Sequence, residues 1–212
     1  QKLIAYNPKE ARYYGRLANL YKIKGWDDKA FEMFKELLKV DPENPYIHLS
    51  LADYYRDKNQ RDKAFDEIKK AFRNYSLDID AKVRILLPYL EVTKSRPEMK
   101  PESDSLCKIL IEVHPDDAKS HSIYADFLYR DKKTELAREE FRKAVSLDKN
   151  RYPIWYEILR LDAELNDFEA MYKESKEAME LYPNEPGPYL FLGVAAYQKK
   201  NYAEAIDALL KG

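Results

Sequence analysis

Three histidines, one cysteine and many carboxylates are the residues with which this chain could do chemistry. His48 and His121 are of the type that ligates a metal or moves a proton. The surroundings of both recur at Tyr14, Trp155 and Tyr189, where the residue is aromatic, so both are read as packing residues. Cys107 and His114 can share one helix face, but no further ligand is placed to complete a tetrahedral site. A single cysteine also excludes a disulfide framework and a multi-cysteine zinc site, and Cys107 reads as buried and inert. Ser146 and Lys149 match the Ser-x-x-Lys spacing at the end of a helical stretch, without companion motifs. There is no glycine-rich phosphate loop and no His-Glu-x-x-His run. Paired carboxylates such as Glu139–Glu140 belong to solvated helix faces. Asn74-Tyr75-Ser76 fits a glycosylation acceptor, which matters only in a secreted eukaryotic chain. No catalytic residue, metal ligand or cofactor is assigned, and the chain is expected not to be an enzyme.

The elements that carry these residues follow from composition and period. Apolar residues make up 45% of the 212, enough for a sizeable core, and charged residues make up 35% with only 5 Gly, which favours helix. Tyr is abundant, at 18, and suits narrow layers in which a ring packs while its hydroxyl stays wet. A net charge of -1 offers no field for a polyphosphate backbone, so nucleic acid is not an expected partner. No apolar run approaches the roughly 20 residues of a membrane span. No signal peptide is readable and the chain begins at Gln1. The compartment stays open: cytoplasm, or the bacterial cell envelope or periplasm had a signal been removed.

The chain repeats itself. Asp28-Lys29-Ala30-Phe31 recurs as Asp62-Lys63-Ala64-Phe65, and similar surroundings hold Ala137 and Ala205. Units begin at Ala11, Pro45, Ile79, Ala118, Tyr152 and Pro186. Aligned, they give columns of matching chemistry. One reads Leu17, Leu51, Ile85, Tyr124, Ile158, Leu192, and its neighbour reads Ala18, Ala52, Leu86, Ala125, Leu159, Gly193. In the second half of each unit another reads Phe34, Ile68, Cys107, Phe141, Ser175, Leu209. Apolar residues three or four apart place each half on a helix, and the small residues let two helices approach closely. Gly25, Asn59 and Asn166 fall at one place between the halves and suit a left-handed turn. Each unit is a helix, a tight turn and a second helix.

The unit Tyr14…Leu17-Ala18…Tyr21…Gly25…Ala30…Phe34…Leu37…Asp41-Pro42 resembles the tetratricopeptide repeat, and the resemblance covers nearly the whole chain. In composition it looks similar to bacterial members. The resemblance implies an all-α fold, a right-handed superhelical solenoid of antiparallel helix pairs whose first helices line a concave groove. On this reading residues 1–212 are one array. Residues 1–10 are the tail of a preceding repeat. Repeats follow at 11–44, 45–78, 79–117, 118–151 and 152–185, with a partial repeat at 186–212, so a fragment of a longer array is expected. The third repeat carries extra residues near 94–101, expected to form a solvated loop because of Pro97, Pro101 and their charged neighbours. Asp162, Ser175 and Met171 depart from the pattern, and looser packing is expected in the fifth repeat.

The resemblance also implies a non-catalytic protein–protein interaction scaffold that holds a protein or peptide segment in the groove. Subtracting the packing columns leaves Arg16, Asn19, Tyr46, Leu49, Asp53, Arg56, Arg84, Leu87, Asp126, Tyr129, Arg130, Tyr156, Arg160 and Phe191 as groove-facing candidates. The same face is expected to present Arg12, Ile23, Val83, Glu91, Lys119, Ile123, Glu157, Leu190, Val194 and Tyr197. Apolar and aromatic members of this set are costly to leave in water, and Tyr and Arg are favoured interface anchors. The clamp with which some family members grip acidic chaperone tails is matched only by Asn19 and Arg84, with Gly15, Ser50 and Asp80 at its other places. No chaperone-tail binding is expected. The alternative is an assembly module, a homo-oligomer formed through the chain's ends or the apolar sixth repeat.

Overall fold

The computed structural model describes residues 4, 7 and 10–212, with only the backbone of Ala11. Most of the stretch 1–10, assigned above to a preceding repeat, lies outside the described residues. Among those described the chain is all-α, with no strand. Twelve helices run as α1 (Ala11–Ile23), α2 (Asp27–Val40), α3 (Pro45–Asp57), α4 (Arg61–Arg73), α5 (Ile79–Ser95), α6 (Lys100–Val113), α7 (Ala118–Arg130), α8 (Thr134–Leu147), α9 (Tyr152–Glu164), α10 (Phe168–Leu181), α11 (Pro186–Gln198) and α12 (Tyr202–Lys211). A 3-10 turn at Pro97–Met99 separates α5 from α6.

The hairpin turns share one construction. Gly25, Asn59, Lys132, Asn166 and Lys200 all have φ between 56° and 69°. At each, the next residue's N–H donates to a carbonyl five residues back, as from Trp26 to Tyr21 and from Lys133 to Leu128. The left-handed residue donates three residues back, which completes a Schellman closure of the first helix. The residue that ends this closure then caps the second helix: the Trp26 carbonyl accepts from Ala30 N–H and the Lys133 carbonyl from Ala137 N–H. The left-handed turn expected at Gly25, Asn59 and Asn166 is present, and two lysines adopt it as well.

The chain forms two compact units. The first comprises 1–85 with 100–113, and the second 86–99 with 114–212. In the first, Ala18, Ala30, Phe34, Leu37, Ile47 and Leu51 form a core between α1, α2 and α3. In the second, the core joins α7 through α11, with Ile158, Leu159, Leu161 and Met171 fully buried. Cys107 is buried in α6.

Two expectations are corrected. The extra residues near 94–101 do not make a loop. They lengthen α5 to 17 residues and add the 3-10 turn. Pro97 opens that turn and Pro101 lies in the first turn of α6, positions where a missing N–H costs nothing. Packing in the fifth repeat is not loose either. Met171, Ser175 and Asp162 are wholly buried. The Ser175 hydroxyl is satisfied by the Met171 carbonyl, and Asp162 accepts from Arg138 NH1 at 2.7 Å and from Arg142 NH2 at 3.3 Å. Ser175 and one oxygen of Asp162 are thereby paired, while the second Asp162 oxygen is buried with no hydrogen-bond partner among the described residues.

His48 and His121 pack in the interior, as expected, and are hydrogen-bonded as well. His48 Nδ1 lies 2.6 Å from Glu67 Oε2 and its Nε2 2.9 Å from the Pro42 carbonyl oxygen. His121 repeats this with Glu140 at 2.6 Å and Pro115 at 2.8 Å. Trp155 Nε1 donates to the Lys149 carbonyl and Tyr189 Oη to the Pro183 carbonyl, so the aromatic members of the column serve the same backbone position.

Candidate functional site

In the second unit the first helices α7, α9 and α11 present the candidate face. Asp117 caps α7 by accepting from the Lys119 N–H at 2.8 Å. Pro153 in α9 and Pro186 in α11 stand in the first helical turn, where the ring preorganises the backbone. These starts fix which side chains face the core. Trp155, Ile158 and Leu159 are buried in α9, which leaves Tyr156 and Arg160 on the outer side. α9 and α11 pack against each other directly.

Side chains tie the three helices together. Tyr129 of α7 donates its hydroxyl to Glu164 of α9 at 3.0 Å, and Arg160 NH1 donates to the Tyr129 hydroxyl at 3.0 Å. The Arg160 guanidinium also sits 4.4 Å from the centre of the Tyr129 ring, within cation–π range. Glu157 accepts from Arg160 Nε at 2.9 Å and NH2 at 2.7 Å. Between α9 and α11, the rings of Tyr156 and Phe191 meet edge to face at 5.6 Å. Beside them opens a recess of about 390 Å³ bordered by Tyr152, Tyr156, Pro186, Gly187 and Leu190.

Asp126 lies half-buried on α7. Burial first, and the like charge of Glu157 second, push its carboxyl up to about 6. Arg130, four residues on, does not relieve it: its Nε is 2.8 Å from Asp131 and its NH1 donates to Thr93 at 3.1 Å.

The structure thus brings Asp126, Tyr129, Tyr156, Arg160 and Phe191 into one neighbourhood and turns Arg130 toward Asp131. Leu87 is exposed on the part of α5 that belongs to this unit. In the first unit Arg16, Asn19, Tyr46, Arg56 and Arg84 are exposed, and Leu49 and Asp53 are half-buried. Asp53 and Arg56 pair within α3. Ile123, read above as groove-facing, is buried and so is not part of an exposed face. Glu164 and Tyr152 were not among the candidates. Glu164 had a readable signal, its place one helical turn beyond Arg160.

Among the described residues no group of three or more His, Cys, Asp or Glu side chains could hold a metal ion. Nor is any described helix long and apolar enough to cross a membrane.

Comparison with known proteins agrees with this architecture. A tetratricopeptide repeat family model matches residues 11–44 and 118–151, and a second matches 166–212. Together they span more than half of the chain, which belongs to the tetratricopeptide repeat (TPR) family. Proteins of this family generally mediate protein–protein interactions. The human protein O-mannosyl-transferase TMTC3 is 31% identical over 83 residues, 39% of this chain. The match spans only 9% of that relative's length. Among solved structures, a double mutant of MamA RS-1 overlays with a TM-score of 0.50 at 15% identity, covering 82% of this chain and 94% of that one. YrrB, a TPR protein with an unusual peptide-binding site, gives 0.46 at 16% identity, covering 99% of this chain and 88% of that one. Identities this low speak to fold alone.

Proposed function

We propose that this chain is a non-catalytic scaffold that holds a segment of a partner protein along the outer face of its first helices. What supports the reading most is the α7–α9–α11 face. There Tyr129 and Tyr156 stay exposed while neighbours on adjacent helices hold their rings, and Leu190 is exposed as well. Rigid aromatic anchors of this kind lose little entropy when a partner covers them. No cofactor and no nucleic acid enters this reading.

Site-specific photocrosslinking tests it. A photoreactive phenylalanine replacing Tyr156 is expected to capture a partner protein in cells, whereas the same group replacing Lys143, exposed on α8, is not. Equal capture at both places, or none at Tyr156, removes the reading.

A second reading has its own observation. Tyr197, Tyr202, Ile206, Leu209 and Leu210 expose an apolar surface on α11 and α12, with a recess of about 300 Å³ between them. Self-association through it predicts a mass that rises with concentration and reverts to monomer in Ile206→Glu. A constant mass across concentrations rules it out.

A further inference from the structure

We propose that the α7–α9–α11 face takes a partner segment carrying one cationic side chain, Arg or Lys, among apolar residues, with the cation seated on the Asp126 carboxylate. This deepens the groove reading above and rests on it.

The cations of this face are already engaged. Arg160 is held by Glu157, by Glu164 at 3.3 Å and by the Tyr129 ring. Arg130 is held by Asp131 and Thr93. An acidic ligand would have to break one of these pairs, at the cost of leaving a carboxylate behind. The carboxylates are in the opposite condition. Glu157 and Glu164 share one arginine, and no cation among the described residues pairs with Asp126. Its charge is held in a desolvated place beside a second carboxylate, the setting in which an incoming cation gains most. Tyr156, next to Glu157 on α9, and Phe191 of α11, whose ring meets it edge to face, supply the apolar surface for the residues flanking that cation. Charge and apolar surface therefore specify the same occupant.

Fluorescence anisotropy with labelled probe peptides tests this. Each probe has Leu and Phe around one central residue, Arg, Lys, Gln or Glu, within Gly-Ser flanks. The whole chain is expected to bind the Arg and Lys probes about ten-fold more tightly than the Gln probe, and the Glu probe least. Asp126→Asn, which keeps the side chain's shape, should bring the Arg probe to the affinity of the Gln probe and leave the Gln probe unchanged. Asp53→Asn, on α3, should leave the preference intact. A preference for Glu, no preference, or a cation preference that survives Asp126→Asn overturns the inference. Capture at position 156 together with an absent cation preference would sink the inference and leave the groove reading standing. Absent capture would remove both.

Discussion

His121 on α7 and Glu140 on α8 meet at 2.6 Å, and the far nitrogen of the same ring reaches the Pro115 carbonyl at 2.8 Å. One imidazole thus ties both helices of its hairpin to the segment that precedes it. His48 does the same with Glu67 and Pro42. Removing the ring leaves a carboxylate that is only 13% exposed without this partner. His121→Ala is expected to destabilise the protein by about 2–4 kcal/mol, by loss of both hydrogen bonds and of packing. His121→Trp, which copies Trp155, should keep the carbonyl bond and lose only the carboxylate. Urea denaturation of the two variants checks the order, and an Ala variant as stable as the Trp variant would contradict it.

Lys132 and Lys200 hold φ of 58° and 63° at the turn where Gly25 stands in the first hairpin. A side chain at such φ costs roughly 1 kcal/mol, which glycine avoids. Lys132→Gly and Lys200→Gly should each stabilise the chain by about 0–0.5 kcal/mol once the greater freedom of the unfolded glycine is subtracted. Gly25→Lys should cost about as much. Melting temperatures of the three variants decide this.

The repeat was legible because its determinants are local: small residues at helix crossings, turn formers and helix-starting prolines recur in phase. The lysine turns were not legible, because lysine carries no preference for positive φ and is forced there by the two helices it joins. Asp162 was misjudged for a related reason. Its partners Arg138 and Arg142 sit on α8, in the preceding hairpin, and only the packed hairpins bring them together. That Tyr129, Tyr156 and Arg160 lie away from the core followed from helical period. That Arg130 turns to Asp131, or that Asp126 is desolvated, depends on rotamers and neighbours that period does not encode.

Asp162 makes stability depend on pH. Burial first, then the hydrogen bond and charge of Glu174, push its carboxyl up to about 8, against the pull of Arg138 and Arg142. An unfolded aspartate titrates near 4. The folded state therefore holds this proton more tightly than the unfolded one. Its contribution is complete below about pH 4 and is lost as pH rises toward about 8. Unfolding free energy should fall by about 1–3 kcal/mol from this group between roughly pH 5 and 8. Asp162→Asn cannot ionise and should show a shallower decline. An identical slope in the two proteins would refute the assignment.

Ala64 is buried in α4 at the first crossing of its hairpin, where a small residue lets α3 approach. Ala64→Phe should overpack that crossing and cost about 1–3 kcal/mol. Gly193 is a related case. A Cβ there would stand 2.5 Å from Leu209 Cγ, the branch point of that side chain, and 3.3 Å from the Ala205 carbonyl oxygen. Gly193→Ala should therefore destabilise the protein, though by less than Ala64→Phe, because about 1 kcal/mol of helix propensity is regained. Thermal denaturation separates the two cases, and an unchanged melting curve for Ala64→Phe would contradict the packing column.

Asp126 should show binding and stability pulling in opposite directions. Its carboxyl is raised to about 6 by burial and by Glu157. The folded chain therefore gains from its proton at low pH, and that gain is lost as pH rises from about 4 through about 6. Above that range the unfolded chain carries the charge more comfortably than the folded one. Asp126→Asn removes the penalty, so it should stabilise the protein by about 1 kcal/mol near pH 7.5 relative to its effect near pH 4. A residue kept only for stability would not behave this way. If Asp126→Asn is instead destabilising at neutral pH, the carboxylate already has a favourable partner within the fold, and the case for a cation arriving from outside disappears with it.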